Sequence, residues 1–187
     1  VLLAPEENVQ LMLALRAGDA AAFDVLFRRW SGPLLRYLER MLRDRAVAEE
    51  LVQEAFIRVH EARERYRPDA RFSTWLYRIA TNLALNELRR PRHRAVHRSA
   101  DEEGVPLLAD AGPGTEAVVD ARRRGAAAAR ALGELPEKQR AALCLAAVEG
   151  LSYAEVAEAL DVTEKAVKSL VHRARSSLAR RLAGEEG

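Results

Sequence analysis

From Arg98 to Thr115 the chain reads RSADEEGVPLLADAGPGT, and this stretch limits the possible folds more than any other. Its two prolines, three glycines and clustered acids leave no apolar periodicity to bury, which is the composition of a linker. On either side apolar residues recur at helical spacing, and runs of alternating β-branched residues are absent. A chain of 187 residues divided here has room for two small domains. The expected fold is all-α: a helical domain over 1–95, a flexible acidic linker over 96–121 and a helical domain with a helix-turn-helix over 122–187.

Local signals place the helices. Asp19 is positioned to cap a helix that the Gly32-Pro33 pair should break, with a second stretch from Pro33 to Leu42. Asp44 caps a long helix whose Ala48, Leu51, Val52, Ala55, Phe56 and Val59 share a face. Ser73 is the expected cap of a helix that Pro91 stops near Arg90. In the second domain Thr115 begins a helix, Pro136 suits the first turn of another, and Gly150 ends it. Ser152-Tyr-Ala-Glu155 has the capping-box pattern, and Thr163 caps the last helix, to about Leu182.

Charge is arranged in blocks. The net charge is +2, yet residues 89–98 hold five Arg and no acid, and residues 99–120 hold six acids and no Lys or Arg. Such blocks are solvated segments or interaction surfaces. The low total therefore does not argue against nucleic acid. No apolar run approaches the roughly 20 residues of a membrane span, and the N-terminal residues lack a signal-peptide pattern. The single cysteine, Cys144, can form neither an internal disulfide nor a zinc knuckle, and reads as a small buried residue. A cytoplasmic protein without cofactor, metal or catalytic residues is expected.

Two constellations carry chemistry. The segment 152–182 is a short helix, a tight turn and a longer helix. On the longer helix Ala166, Val167, Leu170, Val171, Ala174 and Leu178 gather on one side. Lys165, Lys168, Ser169, His172, Arg175 and Ser176 gather opposite, with Arg173 at the edge. Short and basic donors opposite a docking stripe suit contact with phosphates and base edges in a major groove. A solvated basic face is the plainer reading. The second constellation is Tyr66, Phe72, Trp75 and Tyr77 interleaved with Arg65, Arg67, Arg71 and Arg78. Rings among arginines offer stacking faces and phosphate partners to single-stranded nucleic acid. Filling a small core is the plainer alternative. Thr74, Arg78, Asn82 and Asn86 share an arc of the same helix, with Trp75 on the polar side. Glu49, Glu50, Glu54 and Glu61, beside Gln53, make another helix acidic, which suits a basic protein partner or serves solubility alone.

The stretches AEELVQEAFIRV (48–59), FSTWLYRIATNLALNELRR (72–90) and LPEKQRAALCLAAVEGLSYAEVAEALDVTEKAVKSLVHRARSSL (135–178) resemble the extracytoplasmic-function group of bacterial RNA polymerase sigma factors. The resemblance implies two helical domains and a role in promoter-specific transcription initiation. Glu49, Glu50, Leu51, Gln53, Glu54 and Phe56 would meet the clamp helices of core RNA polymerase, whose flap is a further contact. Arg71, Phe72, Thr74, Trp75, Arg78, Asn82 and Asn86 would melt and hold the −10 strand. Lys165, Lys168, Ser169, His172 and Arg173 would read the −35 duplex, and the acidic linker would occupy the RNA exit path. An anti-sigma factor is a further implied partner. Asn86, Glu164-Lys165-Ala166 and Leu170 depart from the usual family residues. A stand-alone helix-turn-helix regulator is the alternative function. Metal chemistry at His93 and His97 is disfavoured because no carboxylate cluster accompanies them.

Overall fold

The computed structural model describes residues 5–68, 71–90 and 116–185. Among them every regular element is helical. The N-terminal half holds α1 (Pro5–Arg16), α2 (Ala20–Leu42), α3 (Arg45–Glu61), a 3-10 turn (Arg63–Arg65) and α4 (Phe72–Leu88). The C-terminal half holds α5 (Glu116–Gly133), α6 (Glu137–Leu143), a π-helical turn (Cys144–Val148), α7 (Tyr153–Leu160) and α8 (Glu164–Glu185). No described helix is long and apolar enough to cross a membrane.

The caps at Asp19 and Asp44 form as expected: the carboxylates accept from the backbone N–H of Ala21 at 2.9 Å and of Val47 at 3.1 Å. The break expected at Gly32-Pro33 does not occur, and α2 runs unbroken through Pro33. Ala22, Leu26, Trp30, Leu34, Tyr37 and Met41 are all buried along one face of α2. That continuous stripe outweighs the one backbone bond that proline forfeits. A second correction concerns Ser73: it lies inside α4, which begins at Phe72 with Arg71 in the cap position and no side-chain cap. Thr115 and the histidines at 93 and 97 lie outside the described residues, as does most of the linker.

α2 packs on α1, α3 and α4, and α8 packs on α5, α6 and α7. The halves also meet, chiefly through α4 against α7, and their buried residues form one continuous cluster. Arg140 of α6 is a buried stitch across this seam. It donates to the carbonyls of Met41, at the end of α2, and of Gly133 and Leu135. Burial holds its guanidinium below the usual arginine range.

Candidate nucleic-acid interface

The helix-turn-helix is built from local rules. The Ser152 hydroxyl accepts from the Glu155 N–H, and the Glu155 carboxylate accepts from the Ser152 N–H, closing the capping box. The other end of α7 closes with Asp161 in the left-handed region at φ 53°. The Val162 N–H returns to the Ala157 carbonyl at 3.0 Å, and the Asp161 N–H to Glu158. These two bonds are a Schellman motif, with Asp161 where glycine is usual. Val162 then packs on the core, and the Thr163 hydroxyl accepts from the Ala166 N–H at 3.2 Å to start α8.

α8 divides as its sequence implies. Val167, Val171 and Ala174 are buried, with Leu170 and Leu178 packed beside them. Lys165, Lys168, His172, Arg173, Arg175 and Ser176 are exposed, and Ser169 is half-buried. Lys168 is steadied by Glu164 one turn earlier at 3.4 Å. Pairs this exposed are readily exchanged for another anion.

The aromatic-arginine interval is more deeply placed. Phe72 is 1% exposed, edge-on to Trp30 at 5.9 Å and Trp75 at 6.1 Å. It is a core residue that supports the loop and offers no face for a base in this conformation. Trp75 is half-buried and tilted against Tyr66 at 5.2 Å, so packing does use it. Thr74 is also buried, under the C-terminal half. Arg78, Asn82 and Asn86 stand exposed along the outer face of α4, and the Arg71 side chain is 61% exposed.

On α3, Glu49, Glu50 and Gln53 are exposed, and Leu51 and Glu54 are half-buried. Arg45 pairs with Glu49 at 2.9 Å, and Arg58 with Glu54 at 2.8 Å. Phe56 is 2% exposed and holds Phe23 and Phe27 edge-on at 6.0 and 4.9 Å, so it shapes this face from beneath. Two apolar side chains stand out beside the carboxylates: Ile57, 51% exposed, and Phe27, 36% exposed. The available signal was phase, since Ile57 falls off the stripe of Ala48, Val52, Ala55, Phe56 and Val59. Among the described residues no group of His, Cys, Asp and Glu could hold a metal ion. Cys144 is fully buried, and burial pushes its thiol up to about 11.

Comparison with known proteins finds a family model over each half of the chain. Residues 26–94 match the model of Sigma-70 region 2, and residues 126–178 that of Sigma-70 region 4. The ECF RNA polymerase sigma factor SigM of Mycobacterium tuberculosis is 38% identical over 94% of this chain and 84% of its own. The RNA polymerase sigma-H factor of Pseudomonas aeruginosa is 34% identical over 95% and 94%. The ECF RNA polymerase sigma-E factor of Escherichia coli is 33% identical over 90% of each chain. Among solved structures, CnrH in complex with the cytosolic domain of CnrY shares the fold with a TM-score of 0.68 at 24% identity. It covers 93% of this chain and 96% of that one. The sigma factor RpoE of Bartonella quintana, in complex with the anti-sigma factor NepR, gives 0.61 at 22%, over 95% of each chain. The chain belongs to the extracytoplasmic-function family of RNA polymerase sigma factors.

Proposed function

We propose that the protein joins core RNA polymerase and directs it to a set of promoters, reading them with two separate surfaces. Residues 1–95 and 122–187 act as the two working units, joined by the acidic segment between them. The observation that carries this reading is the division of α8: a buried apolar stripe faces its own domain, and exposed Lys165, Lys168, His172 and Arg173 face outward with Ser169 beside them. These five read the −35 duplex through phosphates and base edges. Arg71, Arg78, Asn82 and Asn86 hold the unpaired −10 strand, with Trp75 as a stacking face once the loop adjusts. Phe72 and Thr74 set the shape of that loop. Capturing a flipped base offsets the few kcal/mol of unstacking, so no ATP is needed.

The acidic face of α3 meets the polymerase clamp. Glu49, Glu50, Leu51, Gln53 and Glu54 supply it, Ile57 and Phe27 add apolar area, and Phe56 supports them from the core. An anti-sigma protein is a third partner, a reading supported by RpoE of Bartonella quintana, which shares the fold and was solved in complex with the anti-sigma factor NepR. The test is run-off transcription: core polymerase plus this protein yields promoter-specific transcripts from genomic template, and core alone does not. If no specific transcript appears from any template, the reading fails.

A further inference from the structure

α1 carries one polar residue where its packing calls for an apolar one. Asn8, Met12 and Leu15 recur at i, i+4 and i+7, and all three are buried, Asn8 at 6% exposed. A buried amide costs stability unless its polar atoms are bonded. The Asn8 Oδ1 accepts from the Trp30 indole N–H at 3.2 Å and from the Arg29 guanidinium at 3.0 Å, both on α2. Trp30 is itself buried, so loss of Asn8 would strip its N–H of this acceptor inside the core. Apolar contacts tolerate rotation of a ring, whereas a hydrogen bond is directional and sets the plane of the indole.

From Trp30 the contacts lead to the strand-capture loop. The indole meets Phe72 edge-on at 5.9 Å and Tyr77 at 6.3 Å. Phe72 meets Trp75 at 6.1 Å, and Trp75 lies against Tyr66 at 5.2 Å. Arg71 is the residue before α4, and that end of the helix has no side-chain cap. Its placement therefore depends on tertiary packing rather than on a local bond. α1 also touches the 3-10 turn Arg63–Arg65 and α4 itself. The region 2 match begins at residue 26, so α1 lies ahead of it.

We infer that Asn8 is a positioning residue for strand capture: by holding the Trp30 ring it sets Phe72, and through Phe72 the Trp75 face and the Arg71 donor. The inference rests on the promoter-reading function above and gives α1 a share in it. Capture of an unpaired strand needs a stacking face and a phosphate donor at a fixed separation. Loosening Trp30 weakens capture out of proportion to the stability lost. The duplex-reading face of α8 does not depend on Asn8.

Asn8→Leu completes the apolar stripe and removes the acceptor, whereas Asn8→Asp keeps acceptor oxygens for both donors. Each variant is assembled with core polymerase and titrated against two fluorescein-labelled probes. One is a single strand carrying the non-template −10 region of a promoter found by run-off transcription. The other is a duplex carrying its −35 element, and each is measured against a scrambled control. Asn8→Leu is expected to lose affinity severalfold for the strand and to keep it for the duplex, and Asn8→Asp to recover the strand. Circular dichroism establishes that each variant is folded at the assay temperature. Trp30→Phe, which deletes the N–H and leaves a ring toward Phe72, carries the test if Asn8→Leu does not fold. A role in stability alone would weaken both probes together, in step with the folded fraction. That result, unchanged strand binding, or Asn8→Asp no better than Asn8→Leu overturns the positioning role. Unmodified protein that prefers neither probe over its control would instead overturn promoter reading, and the inference with it.

Discussion

The hydroxyls of Tyr37 and Thr81 share a hydrogen bond of 2.7 Å between α2 and α4, with both residues fully buried. Burial drives the Tyr37 phenol far above its usual range, so the bond stays neutral at any working pH. Tyr37→Phe strands the Thr81 hydroxyl in the core and is expected to cost roughly 1–3 kcal/mol. Tyr37→Phe with Thr81→Val removes both partners and recovers part of that loss. Chemical denaturation of the four proteins of this cycle measures the coupling, and strict additivity would remove the bond from the account.

Burial also separates two kinds of residue on α3. Phe56→Ala empties a site packed by Phe23 and Phe27 and is expected to lose about 3–5 kcal/mol of stability. Glu50→Lys changes only an exposed position, and its stability should stay within about 0.5 kcal/mol. The binding result should be the reverse: Glu50→Lys weakens capture of core polymerase while the melting temperature holds. A loss of binding without a change in melting identifies the residues that touch the partner.

How much of this was legible in the sequence follows from the range of each interaction. The caps at Asp19, Asp44 and Ser152 were readable because carboxylate or hydroxyl and backbone N–H lie within three residues. The two faces of α8 were readable because a helix repeats locally. Pro33 misled because its neighbours supply the buried stripe that carries α2 past it. The depth of Thr74 was not readable, since the carboxylate above it lies 81 positions along the chain. Phe72 and Trp75 looked like stacking platforms because spacing alone cannot reveal that Trp30 and Tyr66 already meet them.

Glu155 should make stability depend on acid. Burial works against its charged form, but bonds from the Ser152 backbone and hydroxyl, the Arg71 charge and the Thr74 hydroxyl outweigh it. Its carboxyl therefore titrates below the ordinary value of 4.5. A carboxyl depressed in the folded state contributes stability above its unfolded value, and that contribution is lost as pH falls through the folded value. The melting difference between the unmodified protein and Glu155→Gln should be constant near neutrality. It should shrink as the solution is acidified below 4.5. A difference that grows on acidification would mean the charge is not favoured where it sits.

The outer face of α8 yields the sharpest test of promoter reading, because stability and recognition are carried by opposite sides of one helix. His172, Arg173 and Lys168 are exposed, while Val167 and Val171 are buried beneath them. Alanine at His172 or Arg173 should leave the melting temperature unchanged. A side chain that contacts a base edge should cost about 1–3 kcal/mol of discrimination at one −35 position. Lys168→Ala should behave differently if it meets phosphate: binding weakens evenly across sequences, and the salt slope falls by about one. Transcription from a library of randomised −35 elements separates the two patterns. If His172→Ala and Arg173→Ala give the same sequence preferences as the unmodified protein, base readout belongs to other residues on that face.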